Sequence, residues 1–473
     1  MTGVSDGRVI IVGAGLSGLS AARALVAAGR DVVVVEARGR VGGRTEGGST
    51  VDGTSIELGG QWIGPGQSQM YELIDELGLE TFPTYNEGEH VVKLGGKLSR
   101  IKSHRGAIPR VNPFALADLF NGLRRFNQLA ANVPIDRPWA ARDAELLDAQ
   151  TFDTWVRNNL RTEVGRSYFR VATEAVFAGE PNDISLLHAL FYSHSGRDFE
   201  TLLSVDDGAQ QDRVVGGSIR IAEEMAKSLG DRVLLNRPVG TVRHGSTGVE
   251  VITRDGESFA GTSLIVTLPP TLAGRLSYDP PLPAWRDQLT QRLPAGSVIK
   301  FHVVYPEPFW RREGLTGQVA SDSGPVKVTF DNSPPDGSPG IIVGFLEGAV
   351  GREWSPRPPQ DRRRAVIDSL VGYFGTEAAA PLDYVERDWM AEEFSRGCYG
   401  AHFAPGVWTS YGPALRKPVG RIHWAGAECS AVWSGYMEGA VRSGEIAARA
   451  VLDSEDSGQI TEEAGSNGDD DQN

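Results

Sequence analysis

Arg8-Val-Ile-Ile-Val12-Gly13-Ala-Gly15-Leu-Ser-Gly18 opens a segment that runs with Leu/Ala periodicity to Ala28, stops at Gly29 and resumes as Asp31-Val-Val-Val-Val35-Glu36. Two short apolar runs flanking a helix-period segment read as strand, helix and strand, so a parallel sheet with helices on its faces is expected. The G-x-G-x-x-G spacing gives each glycine a reason. Gly13 permits the tight turn, Gly15 lets backbone approach a pyrophosphate, and Gly18 allows close packing of helix on strand. The helix amino terminus favours the negative charge, and Glu36 stands where an acid accepts hydrogen bonds from a ribose diol. A glycine pattern alone is weak; strand, helix, second strand and terminal acid together predict a dinucleotide site.

Working outward, Gly248–Thr253 alternates like a strand. Ser263–Leu268 reads as another, leaving its sheet at Pro269-Pro270. Val298–Tyr305 and Arg421–Trp424 are also strand-like, and Gly435–Leu452 is helical. Pro109–Glu200 is mostly helical in pattern, with Trp139, Trp155, Phe177 and Phe191 at core positions. Val326–Trp389 mixes strands with one amphipathic helix around Asp361–Phe374. The nucleotide-site pieces lie at both ends and in the middle, so a discontinuous two-domain chain is expected.

The 473 residues are 40% hydrophobic and 23% charged, an ordinary globular composition. A net charge of -14 argues against a nucleic-acid or anionic-lipid surface. Two cysteines, Cys398 and Cys429, build no disulfide framework and fit a reducing cytoplasm. Neither a signal peptide nor a membrane-length apolar run is visible. Asp453–Asn473, rich in Glu, Asp, Gly and Ser, reads as a disordered acidic tail. The eight histidines show no metal spacing and no G-x-S-x-G elbow appears, so neither a metal nor hydrolysis is expected.

After Glu36 come Arg38 and then Arg40-Val41-Gly42-Gly43-Arg44, followed by Gly59-Gly60-Gln61-Trp62. Further on stand Gln210 with Val215-Gly216-Gly217-Ser218, Arg237-Pro238-Val239, Ser297-Val-Ile-Lys300, Trp389, Ser395-Arg-Gly-Cys398-Tyr399 and Trp433-Ser-Gly-Tyr436-Met437-Glu-Gly. From about Arg8 to Leu452 the chain thereby resembles the flavin-containing monoamine oxidase family, in its soluble bacterial branch. That resemblance implies an α/β fold, an FAD-binding Rossmann-like domain with an inserted α+β substrate domain. Its parts are expected at residues 1–90, 213–297 and 393–453 for FAD, and 91–212 (mostly helical) and 298–392 for substrate, with the tail at 454–473.

The resemblance also implies roles. Arg38, Gly43 and Arg44 fall near the pyrophosphate and flavin–adenine linker, Val239 against the adenine, and Gly60, Gln61, Trp62 and Trp389 around the flavin. Glu428 falls near the ribityl or phosphate region; Ala427 stands where the family usually has threonine. Met437 opens a helix aimed at the flavin O2/N1 edge. Lys300 is the residue held near flavin N5 through a water, where a cation assists electron transfer to dioxygen. Tyr399 and Tyr436 form a cage whose ring faces guide an amine nitrogen. Cys398 matches the cysteine that bonds covalently to the flavin, whereas some bacterial relatives bind FAD without a link. Cys429 reads as small packing.

The implied reaction is oxidative deamination of a primary amine to aldehyde, ammonia and hydrogen peroxide, by a cytoplasmic homodimer. Ala175, Val176, Leu203, Gln210 and Pro339 are expected to line the substrate pocket. An aliphatic diamine and an arylalkylamine both remain open, and a diamine needs a second anion that the sequence does not place. Rival readings on the same fold are a desaturase or porphyrinogen-type oxidase, an amino-acid oxidase needing an arginine clamp, and a flavin-free escort protein.

Overall fold

The structure, a computed structural model, describes residues 7–103 and 112–456. Its centre is a five-stranded sheet ordered Val233–Leu234, Val32–Val35, Val9–Val12, Ser263–Val266, Ile422–Trp424. Every pairing in it is parallel. Val9–Val12, Val32–Val35 and Ser263–Val266 are apolar throughout or nearly so because both faces are covered, and every one of their residues is buried. The helix Leu16–Ala27 packs on one face, together with Ile219–Leu229 and Met437–Asp456. A four-stranded sheet, Ser258–Gly261, Val249–Thr253, Val239–His244 and Ser277–Asp279, shares a core with the opposite face. This is the mixed α/β architecture expected of the chain, with early, middle and late segments meeting in one sheet.

Gly18 shows why the first turn is glycine-rich. A Cβ there would lie 1.9 Å from the Gly13 carbonyl oxygen, so only glycine lets the helix rest on the loop. Gly18→Ala should therefore cost about 1–3 kcal/mol through overpacking, read as a lowered thermal midpoint. Gly13 has φ 108°, in the left-handed region that favours glycine.

The second large sheet has seven strands, ordered Asp383–Asp388, Val298–Tyr305, Gly340–Glu347, Val328–Asp331, Leu315–Ser321, Glu89–Leu94 and Lys97–Lys102. Helix Pro359–Phe374 covers one side through Val366, Leu370 and Phe374. The helical block, Pro113–Ala130 to Leu186–Ser195, packs around Phe126, Phe152, Trp155, Phe169 and Phe199. Trp155, Phe177 and Phe191 are core residues there, and Trp139 packs against them half-buried.

Two expectations need revision. Residues 89–102 form a hairpin of the seven-stranded sheet, because Glu89–Leu94 pairs in parallel with Leu315–Ser321. The final helix runs to Asp456, past Asp453 and residue 454, where the tail was expected to begin; the rest of the tail, 457–473, lies outside the described residues. Glu455 is tied into the fold by Arg30 at 3.0 Å, which helps carry the helix that far.

Candidate active site

A cavity of about 900 Å³ runs from the glycine loop to the faces of the seven-stranded sheet and the helical block. At one end the amino terminus of Leu16–Ala27 opens into it with no acidic residue in the first turn. Gly42 N–H donates to the Ala14 carbonyl at 2.8 Å, so the second glycine pair is laid against the first loop. Glu36 is buried at the end of its strand. Its carboxylate accepts from the backbone N–H of Ala14 at 2.7 Å and of Arg38 at 2.9 Å. Arg38 is steered by Ser395 at 2.9 Å and Glu392. A turn that excludes side chains, a helix amino terminus and inward arginines fit the diphosphate of a dinucleotide. Val239, opening its strand, lines the same end.

Arg44 and Glu428 form a two-pronged ion pair at 2.6 and 2.9 Å, and Arg44 also donates to the Tyr399 carbonyl at 2.9 Å. Burial alone would raise the Glu428 carboxyl, but Arg44 holds it below the usual range. Burial works against the Arg44 charge too, and Glu428 more than offsets it. Glu428 also accepts the Ala401 N–H, at 3.1 Å. It lies behind Arg44 and is not among the residues lining the cavity, so its role passes through that arginine.

Lys300 lies on the inner face of Val298–Tyr305, buried and lining the cavity. Its ammonium donates to the Gly59 carbonyl at 2.8 Å and to the Gln61 side-chain oxygen. Gln61 donates to Asn332 at 2.6 Å, and Arg213 pairs with Glu57 at 2.9 Å behind them. Burial lowers Lys300 to about 7, with nearby Glu57 acting the other way. Trp389 donates to the Leu58 carbonyl at 2.9 Å, holding the Gly59-Gly60 segment from beneath. The buried indole nitrogen of Trp62 has no hydrogen-bond partner among the described residues, and Trp62 lines the cavity.

Tyr399 and Tyr436 both line the cavity and are braced from different elements. Phe345 meets Tyr399 edge-on at 6.0 Å, while Trp433 meets Tyr436 edge-on at 5.0 Å with Tyr192 at 6.0 Å. Cys398, adjacent to Tyr399, is a free buried thiol facing the cavity, and burial pushes it up to about 12. Met437 begins the last helix at the cavity wall. Cys429 sits 3.7 Å from the Leu415 carbonyl and packs among apolar neighbours.

Ala175, Val176, Leu203 and Gln210 line the cavity as expected. Gln210 donates to the Leu202 carbonyl at 2.9 Å, and its side-chain oxygen has no partner among the described residues. Pro339 does not belong to this set. It is buried at the turn leading into Gly340–Glu347, the strand end remote from the cavity, where adjacent Gly340 packs on the Glu307-Pro308 backbone. The residue missing from the expectations is Glu347 at the other end of that strand, buried, lining the cavity, and accepting from the Tyr399 hydroxyl at 2.6 Å. Its signal was an acid closing the otherwise apolar run Gly340-Ile-Ile-Val-Gly-Phe-Leu-Glu347.

Among the described residues, no group of three His, Cys, Asp or Glu stands together as a metal site, and no helix is long and apolar enough to cross a membrane. A parallel sheet with a glycine loop at a helix amino terminus, joined through one cavity to a second sheet, is the frame of a dinucleotide-binding protein. The chain belongs to the flavin containing amine oxidoreductase family, whose description matches residues 16–452. It is 39% identical to a probable flavin-containing monoamine oxidase A of Dictyostelium discoideum, over 94% of this chain and 97% of that one. Its fold superposes on cyclohexylamine oxidase from Brevibacterium oxydans with a TM-score of 0.91 and 34% identity, over 96% of this chain and all of that one. A putrescine oxidase double mutant, from a redesign of cofactor binding, also gives 0.91, at 36% identity over 94% and 99% of the two chains.

Proposed function

We propose that the protein oxidises a primary amine with FAD, yielding aldehyde, ammonia and, from dioxygen, hydrogen peroxide. The observation that carries this reading is convergence. Lys300, Cys398, Tyr399 and Tyr436 come from three distant segments and meet on the cavity that begins at the glycine loop. FAD supplies the electron-accepting chemistry when bound; the chain supplies position and electrostatics. Gly13, Gly15, Gly43 and Arg44 hold the diphosphate, Glu36 the ribose, and Val239 the adenine side. Gly60, Gln61, Trp62 and Trp389 shape the bed for the ring system, and the helix opening at Met437 directs backbone N–H groups to its edge.

The tyrosine faces flank and orient the amine nitrogen. Ala175, Val176, Leu203 and Gln210 bound the space in front of them. A lysine ammonium in the same cavity opposes a protonated reacting amine, so the neutral amine is the form selected. Free thiols and an acidic balance support a cytoplasmic setting.

Cys398 is assigned the covalent link to the cofactor. Burial raises this thiol and Arg44 acts the other way, towards the thiolate that is the reactive form. Acid precipitation of the purified protein tests both parts. A yellow pellet is expected, turning to a yellow supernatant over a white pellet in Cys398→Ala, with peroxide released on adding amines. A yellow supernatant from the wild type removes the covalent link and leaves the reaction. A colourless protein that also fails to take up FAD overturns the reading.

A further inference from the structure

We propose that Glu347 is the substrate-reading acid of this pocket, holding the second ammonium of a short aliphatic diamine while the first amine lies between Tyr399 and Tyr436. This rests on the amine-oxidase reading above and names its substrate class.

Glu347 is 4% exposed and lines the cavity. One carboxylate oxygen accepts the Tyr399 hydroxyl at 2.6 Å; the other is buried with no hydrogen-bond partner among the described residues. A buried carboxylate oxygen left bare is costly, and such groups recur where a ligand completes them. The ordinary structural explanations fail here. Although Glu347 precedes the helix Gly348–Trp354, its side chain caps nothing. Lys327, a cation whose field reaches it, is committed to Glu174 at 2.6 Å. Among the described residues no cation pairs with Glu347, so the answering charge is left to the ligand.

Register places the acid at a useful distance. Lys300 pairs with Phe345 and Val298 pairs with Glu347, so Glu347 lies two residues along the same strand face from the lysine level. Two residues of strand span about 7 Å. The wall between is apolar, with Phe345, Val298, Val328 and Phe330 in one buried cluster that Tyr399 joins. A substrate with a polar head at each end and methylenes between matches that wall. A carboxylate at the reacting nitrogen itself would hold the amine protonated and unreactive, which is why Glu347 is assigned the distal group. Burial pushes its carboxyl up to about 8, and an arriving ammonium favours the ionised form.

The test is calorimetric titration of the FAD-loaded protein, its flavin first reduced with dithionite so that no amine is oxidised, without oxygen, using putrescine and butylamine on the wild type, Glu347→Gln and Glu347→Asp. Glutamine keeps the shape and still accepts from Tyr399. The wild type should prefer the diamine. Glu347→Gln should lose about thirtyfold or more of that preference, the scale of an unpaired buried charge. Glu347→Asp, which keeps the carboxylate on a shorter arm, should retain more of the preference than glutamine does and controls for general damage to the pocket. Equal wild-type affinities, a preference that survives in Glu347→Gln, or tighter binding of the ω-amino acid of equal length would overturn the proposal. Peroxide release separates the two readings. Glu347-dependent diamine binding without turnover of any amine leaves this inference standing and removes the function, whereas turnover with no diamine preference does the reverse.

Discussion

Lys300→Met slows dioxygen consumption by about a hundredfold or more and leaves anaerobic bleaching of the flavin bands by amine within a few fold. Removing one preorganised charge from a water-excluded site costs about that much. Stopped-flow absorbance separates the two half-reactions. The same substitution should not harm the fold. Burial holds Lys300 at about 7, below its ordinary value, so the folded state favours the neutral amine. Charging it opposes folding in full below about 7, the penalty fades as pH rises towards the unfolded value, and methionine removes it. The thermal midpoint of Lys300→Met at neutral pH is therefore expected to equal or exceed that of the wild type. Loss of oxygen reactivity with gain of stability marks a residue retained for function. The pH profile carries the sign as well. The ammonium fraction falls as pH rises through about 7, so the wild-type oxygen rate declines across that window, and the Met variant's rate is flat.

Much of this arrangement was legible beforehand, for physical reasons. Buried parallel strands have no polar face, so Val-Ile-Ile-Val and Val-Val-Val-Val announce themselves. Gly18 is required by a contact between neighbours in sequence, and Val298–Tyr305 was bounded correctly. What escaped depends on long-range pairing. Glu89-His-Val-Val-Lys-Leu94 carries too many polar residues to advertise membership of a seven-stranded sheet. The chain from Lys300 through Gln61 to Asn332 joins three segments that share no motif. Glu347 was invisible because a run of buried apolar residues reads as core, and one acid at its end reads as a boundary. Pro339 failed for the converse reason. One residue's place in a pocket depends on which end of a strand faces it, and pattern alone does not set that direction.

Arg44→Ala is the variant expected to do most damage. It leaves Glu428, 4% exposed, as an unanswered buried carboxylate, a defect worth about 3–5 kcal/mol. Against a typical stability of about 5–15 kcal/mol, that is a large fraction, and the thermal midpoint falls accordingly. The pH dependence changes with it. In the wild type Glu428 is held below its usual range, so its contribution is full above the unfolded carboxyl value and disappears as pH falls through the depressed one. In Arg44→Ala burial acts unopposed, the carboxyl rises, and acid no longer costs the variant what it costs the wild type. Replacing both partners, Arg44→Met with Glu428→Leu, separates architecture from chemistry. Apolar replacement of a buried pair is often neutral or stabilising, so the double variant should recover much of the midpoint. Flavin content should not recover, because the arginine that faces the cavity is still gone. If cofactor binding returns together with stability, the pair is only a structural clasp; if stability returns alone, Arg44 holds the cofactor and Glu428 holds Arg44.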